Sequence, residues 1–273
     1  MTQTNNFITG LIIKEEHYGE NAKLLSVLTA ENGIMKMKAP GAKNLKSSTH
    51  SAVQLFTYSE FSVAKGKGGY LTITGATAKN NFFGLRNDVL NYALACYFSS
   101  AVSKVCVNDN SSSDILRLML NCFFVLSEKK YPPDTVKPFF EIKLASICGF
   151  APDTSYCPSC SSKADTFTFD FFTSGILCKK CARESGAMIK SHRFFQLNSE
   201  CIKALELLCY SDLKKIFHVR ALLSDEKSQM LFREFSERFI CNIFESIPKT
   251  LSFYNHLMRS IDNEKLRQKQ ENS

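Results

Sequence analysis

The sequence predicts a multidomain α+β protein: a small closed β-barrel at the N-terminus, then an all-α domain with a four-cysteine zinc finger inserted in it. Three observations carry this. Short apolar runs with hairpin-type turn signals occupy residues 7–74. Helical spacing replaces them from Arg86 onward. Four cysteines then interrupt the helical pattern as Cys157-Pro158-Ser159-Cys160 and, seventeen residues later, Cys178-Lys179-Lys180-Cys181.

The barrel elements follow in order. Apolar runs at 7–13 and 24–28 are the first two strands. Glu31-Asn32-Gly33 is a turn signal, and 34–38 returns from it as a hairpin partner. A small, basic, loop-like stretch covers 39–51. A long strand is expected over 55–63, a glycine-rich turn at 65–69 and a return strand at 70–74. Five strands joined mostly by hairpins suit a closed barrel. This first domain is placed at 1–81.

Helices come next. Val89, Leu90, Ala93, Leu94 and Tyr97 recur at helical spacing, as do Ile115, Leu116, Met119, Leu120, Phe123 and Phe124. Pro132-Pro133 opens a helix over 134–147 that stops at Gly149. This first helical part is placed at 82–150, the cysteine insertion at 151–186 and the second helical part at 187–260. There a helix over 199–209 is followed by one capped at Ser224-Asp225-Glu226, with Leu231, Phe235, Phe239 and Ile243 as its apolar stripe. Neither helical part carries a full core, so the helices flanking the insertion are expected to pack together. The polar, charged residues 261–273 are expected to fray.

Composition narrows the function. An apolar content of 44% supports a real core, and a net charge of +8 points to a polyanionic partner. Eleven cysteines, an odd number, fit a reducing, cytoplasmic compartment. Residues 1–10 lack the basic-then-apolar order of a signal peptide, and no run of eighteen apolar residues marks a membrane span.

The two C-x-x-C pairs have the gap of a structural zinc site with Cys157, Cys160, Cys178 and Cys181 as ligands. Two coincidental pairs, or a redox dithiol at Cys157-Cys160, explain the pattern less completely. The redox reading leaves the second pair unused and has no thioredoxin-like βαβ context. Cys148 and His192 flank the insertion as alternative ligands. Four thiolates leave no open position for catalysis. None of the five histidines stands in a zinc-enzyme motif, so an enzyme is not expected. Phe167, Phe169 and Phe171 alternate with polar residues, which predicts a ribbon with a phenylalanine face between the knuckles. Lys163, Lys179, Lys180 and Arg183 would offset the charge of the thiolates.

Residues 1–87 hold ten Lys and Arg against five Asp and Glu, so most of the positive excess lies in the barrel region. On a strand, Lys36 and Lys38 share one face and Met35 and Met37 the other. Lys36, Lys38, Lys43 and Lys46 are the first candidates for phosphate contact, with Lys65, Lys67 and Arg86 next. Tyr18, Phe56, Tyr58, Phe61 and Tyr70 are the aromatics near enough to stack bases.

These residues resemble the RecO family. The likeness rests on His17-Tyr18-Gly19-Glu20-Asn21-Ala22-Lys23-Leu24-Leu25, on Ala39-Pro40-Gly41-Ala42-Lys43 and on Leu55-Phe56-Thr57-Tyr58 in the barrel. In the insertion it rests on Gly149-Phe150-Ala151-Pro152, Tyr156-Cys157-Pro158-Ser159-Cys160, Phe172-Thr173-Ser174-Gly175-Ile176-Leu177-Cys178 and Cys181. The family often has two glycines where this chain has Ser174-Gly175. The resemblance implies an OB-fold barrel, a helical domain and one structural Zn2+. It also implies binding of single- and double-stranded DNA, annealing of complementary strands, and loading of RecA onto DNA coated by single-strand-binding protein. RecR and the C-terminal tail of single-strand-binding protein are the implied protein partners, with no membrane. The rival reading is a zinc-stabilised interaction scaffold without annealing activity.

Overall fold

The computed structural model describes residues 6–66, 69–105, 112–187, 192–212 and 219–271. The chain divides into two compact units, Met1–Lys130 with Pro248–Ser273, and Tyr131–Ile247.

In the first unit, β1 (Asn6–Tyr18), β2 (Ala22–Thr29), β3 (Ile34–Ala39), β4 (Tyr58–Lys65) and β5 (Leu71–Asn80) close a barrel in the order β1-β2-β3-β5-β4. Antiparallel pairing of β1 with β4 closes it, and β3 with β5 is the one parallel pair. The parallel pair requires a long connection, which residues 40–70 supply with β4 among them. The β2–β3 turn is fixed by Thr29, whose hydroxyl donates to the Gly33 carbonyl at 2.9 Å and accepts from the Asn32 amide at 3.1 Å. Gly33 takes a φ of 60° there, which glycine adopts without strain. Ile12, Leu25, Val27, Met37, Phe61, Val63 and Ile73 fill the interior. Each such burial stabilises by roughly 1.5–3 kcal/mol.

The strand expected from residue 55 begins at Tyr58. A 3-10 turn at Ser51–Val53 precedes it, and Phe56, at φ 65°, already bonds to β1 through its amide to the Ile12 carbonyl at 2.9 Å. That conformation costs about 1–2 kcal/mol in a non-glycine residue. The Phe56 ring offsets it by packing edge-on against Tyr92 and Phe123, both at 5.3 Å.

The outer face of the barrel is also partly buried. Leu11, Ile13, Leu24 and Leu28 are inaccessible although they point away from the interior. The helices α2 (Val89–Val105) and α3 (Ser112–Ser127) lie against β1 and β2 and cover them. A short α1 (Phe83–Arg86) leads into α2.

In the second unit, α4 (Pro133–Ile147) packs against both α6 (Ser199–Tyr210) and α7 (Glu226–Phe244). Helices before and after the insertion thus share a core. Asp225 caps α7, accepting from the Ser228 amide at 2.7 Å. The buried stripe of α7 is Phe232, Phe235, Ser236, Phe239 and Ile240. It is rotated from the expected one, with Leu231 and Ile243 only partly buried. The α4–α7 contact is ionic at its centre. Lys137 reaches Glu141 at 2.9 Å and Glu237 at 2.7 Å. Lys143 donates to the carbonyls of Leu208 and Ser211 at 2.9 and 2.7 Å, closing the C-terminal end of α6.

The insertion contributes β6 (Thr168–Asp170) and β7 (Gly175–Ile176) to a small sheet in the order β7-β6-β8, whose third strand, β8 (Phe194–Gln196), comes from beyond 186; α5 (Lys179–Glu184) follows β7. The phenylalanine face is shorter than expected. Phe169 and Phe171 are buried, while Phe167 is exposed. Phe169 packs on Phe235 and Phe239 of α7 at 4.9 and 5.7 Å.

Of the tail expected to fray, residues 261–271 lie within α8 (Lys249–Glu271), and 272 and 273 fall outside the described residues. Leu251 and Tyr254 are buried near its start, and α8 packs on α2. Once that turn is anchored, the Lys, Glu, Gln and Arg residues beyond it propagate the helix without needing a core. Among the described residues, no helix is long and apolar enough to cross a membrane.

Candidate nucleic-acid interface and metal centre

The metal centre is built by two knuckles. In the first, the Cys157 amide donates to the Ser162 carbonyl at 2.7 Å and the Ser161 amide to the Cys157 carbonyl at 2.8 Å. This turn points the sulfurs of Cys157 and Cys160 the same way. In the second, Cys178 caps α5, and its sulfur accepts from the Cys181 amide at 3.4 Å. The four sulfurs lie within 4.8 Å of one another, with Cys160 and Cys178 at 3.7 Å. A tetrahedron with metal–sulfur bonds of about 2.3 Å has edges of about 3.8 Å, so the donor set fits such an ion.

Electrostatics agree. The Cys181 amide, with the Ser162 hydroxyl, holds the Cys178 thiol down to about 6. The Ser162 hydroxyl likewise lowers Cys160. Cys181 is pushed up, first by the sulfur of Cys160. Crowded thiolates repel, and a cation among them removes that cost. The four cysteines can therefore bind a metal ion. Cys148 and His192 stand outside this cluster. Of the cations expected to offset the thiolates, Lys179 and Lys180 make long pairs to Asp165 (3.8 Å) and Glu184 (4.0 Å).

The barrel places its cations unequally. Strand register aligns Lys14, Ser26 and Lys36 in one row, and Glu16, Leu24, Lys38 and Thr72 in the next, all facing outward. Lys36 and Lys38 therefore share a face with Lys14, which sequence reading missed. A bulge between Ile12 and Lys14 shifts the parity of β1, and nothing in the pattern of residues announces it. Glu16 sits between these cations, 3.1 Å from Lys14 and 4.0 Å from Lys36. The Lys14 ammonium holds its carboxyl below the usual range.

Two loops meet at the edge of this face. Tyr18, ending β1, and Tyr70, preceding β5, touch edge-on at 6.4 Å, and the Lys38 ammonium lies over the Tyr18 ring at 5.0 Å. In OB-type barrels the face of strands 2 and 3 and the loops 1–2 and 4–5 receive oligonucleotides. Here those parts carry a cation beside two tyrosines.

The other candidates divide. Lys46 and Lys65 are exposed, with no side-chain partner among the described residues. Lys43 instead donates to the carbonyls of Gly19 and Glu20 at 3.3 and 2.7 Å, pinning the 40–50 loop to the β1–β2 turn. Arg86 clamps the chain entering β4 through the Leu55 carbonyl at 2.6 Å and the Thr57 hydroxyl at 3.3 Å. It stands apart from the Lys36–Lys38 rows. Lys67 lies outside the described residues. Of the aromatics, Phe56 and Phe61 are buried in packing.

Comparison with known proteins accords with this architecture. The family model "Recombination protein O N terminal" matches residues 4–82, and "Recombination protein O C terminal" matches 86–224. The chain belongs to the RecO family. A protein of Acetivibrio thermocellus named DNA repair protein RecO is 30% identical over 233 residues, covering 84% of this chain and 90% of that one. RecO-named proteins of Caldicellulosiruptor saccharolyticus and Halalkalibacterium halodurans are 26% and 27% identical. The first alignment spans 91% of this chain and 97% of its relative, the second 76% and 78%. The RecO N-terminal match ends near the end of β5, and the C-terminal match takes in all four cysteines.

Proposed function

We propose that the protein is a DNA repair and recombination mediator. In this reading it binds single- and double-stranded DNA, anneals complementary strands and helps load RecA onto DNA coated by single-strand-binding protein. The observation that carries the reading is the outward lysine face of a RecO-type barrel, bordered by Tyr18 and Tyr70. Lysines neutralise phosphates and release counterions, while aromatic faces accept bases without regard to sequence. Two strands that repel each other in solution approach once their phosphates are screened on this surface. Lys36, Lys38, Lys46 and Lys65 are the proposed phosphate contacts, joined by Lys14. Lys43 acts by holding the loop in place.

The same reading makes the metal a single structural Zn2+, since four thiolates in a tetrahedron suit zinc and leave no open coordination position. RecR and the acidic tail of single-strand-binding protein are the proposed partners, and the cytoplasm the compartment. No reaction is assigned to the chain.

Lys36→Glu with Lys38→Glu is expected to weaken DNA binding at least about tenfold and to flatten the dependence of affinity on salt by about two ions. Unchanged affinity and slope in a salt titration would overturn the barrel assignment. Glu16→Gln is expected to act in the opposite direction. It releases Lys14 and Lys36 for phosphate and should tighten binding about two- to fivefold, measurable in the same titration. An annealing assay with bare complementary oligonucleotides separates a mediator, which speeds pairing, from a scaffold, which does not.

A further inference from the structure

Leu45 is 81% exposed, at the tip of the loop that joins β3 to the 3-10 turn. A lone exposed leucine is ordinary on a protein surface. The surroundings of this one are not. Residues 32–59 contain four lysines and no acid, and Lys43 and Lys46 flank Leu45 closely.

The loop also holds its tip in a fixed place. The Asn44 amide donates to the Gly41 carbonyl at 2.9 Å, and the Ser47 amide to the Asn44 carbonyl at 3.0 Å. The Lys46 amide donates to the Asn44 side-chain oxygen at 3.0 Å. Ala42 is buried in the barrel core, and Lys43 ties the loop to the β1–β2 turn. These bonds turn Leu45 outward beside the lysine face. Phe172, equally exposed at 83%, differs in both respects. The Arg193 guanidinium already lies over its ring at 5.2 Å, and residues 151–187 carry as many acids as bases.

We infer that Leu45 is an apolar wedge that enters the base stack of bound DNA while Lys46 and the strand lysines Lys36 and Lys38 hold the phosphates. The inference rests on the nucleic-acid reading above and adds a contact to bases that charge alone does not provide. Proteins that insert a leucine between base steps unstack them. A strand held with a step already opened presents its bases to a second strand. An apolar protein surface is a poorer occupant, because it would strip water from Lys46 without offering a counter-charge.

The test uses the intact protein and a short duplex carrying 2-aminopurine at alternate adenines, with the corresponding single strand alongside. Binding of the wild type is expected to raise 2-aminopurine fluorescence as bases unstack. Leu45→Ala should abolish the rise and weaken binding about three- to tenfold. Its salt slope should match that of the wild type, since no charge is removed. Leu45→Met should keep the rise. The wedge is overturned if Leu45→Ala retains the signal, or if the wild type binds without producing one. In both cases the lysine assignment stands. Failure of the Lys36 and Lys38 reversals to weaken binding removes the nucleic-acid reading and the wedge together.

Discussion

On the zinc reading proposed above, chelation of the ion, or Cys178→Ser, is expected to unfold the two knuckles without releasing the small sheet behind them. The apolar cluster around the cysteines is slight: Cys157, Leu177, Cys178 and Ala182, with Ala187 and Phe194 against them. It is too small to hold the knuckles once the ion is gone, since binding of zinc to comparable thiolate sites contributes about 10–16 kcal/mol. β6 has a second anchor. Phe169 and Phe171 pack on Phe235 at 4.9 and 5.9 Å, and Asp170 takes a bidentate pair from Arg193 at 2.9 and 2.7 Å. Burial opposes the charge on Asp170, but the Arg193 guanidinium outweighs it and holds the carboxyl below the usual range. Hydrogen exchange should therefore show lost protection at 157–162 and 178–186, with 168–170 and the barrel strands unchanged. Collapse of β6 along with the knuckles would show that the metal, not the aromatic packing on α7, holds the whole insertion.

The parts legible in the sequence were those set by local chemistry. C-x-x-C spacing picked out the four cysteines that the fold brings together, because two cysteines three apart can bend round one ion whatever the rest of the chain does. Hairpin strands with a Gly33 turn, and the cap at Asp225, are likewise decided within a few residues. What was not legible depends on contacts distant in sequence. The apolar residues Leu11, Leu24 and Leu28 read as ordinary strand residues, yet they form a second buried face under α2 and α3. The barrel of 1–81 is thus packed on helices from beyond its expected end, and its unit also takes in the far terminus of the chain. The helical run through Glu271 is not legible in polar composition, because propagation from the buried turn at Leu251 and Tyr254 needs no apolar residues downstream.

The site divides in the same way. Charge marks a candidate face, but charge does not reveal which lysines are already engaged. Lys43 and Arg86 count as cations in the sequence, and both bind the chain's own carbonyls in the fold. Lys14 and Glu16 went unnoticed because a one-residue bulge decides which way they point. Leu45 carried no signal either. An apolar residue within a basic loop becomes informative only when the fold is seen to turn it away from the core.

Lys137→Met is expected to destabilise the second unit by about 3–5 kcal/mol at neutral pH. Lys137 and Glu141 are almost wholly removed from water, and Glu237 is the more exposed partner. Burial alone would lower the Lys137 ammonium, but Glu141 and Glu237 hold it up. Burial also pushes the Glu141 carboxyl up, against the pull of Lys137, so the triad has one cation for two carboxylates. The substitution leaves Glu141 with the Ser236 hydroxyl at 2.8 Å but without the ammonium, and raises its pKa further. A carboxyl raised on folding favours the fold fully below its unfolded pKa, and that benefit is lost as pH rises through the folded value. The deficit of Lys137→Met should therefore be small near about pH 5 and full near about pH 8. Lys137→Met with Glu141→Leu removes both buried charges and should recover most of the loss. Urea unfolding at the two pH values measures all of this. An equal deficit at both, or no recovery in the double variant, would mean that the cost comes from lost packing of the lysine stem rather than from a stranded carboxylate.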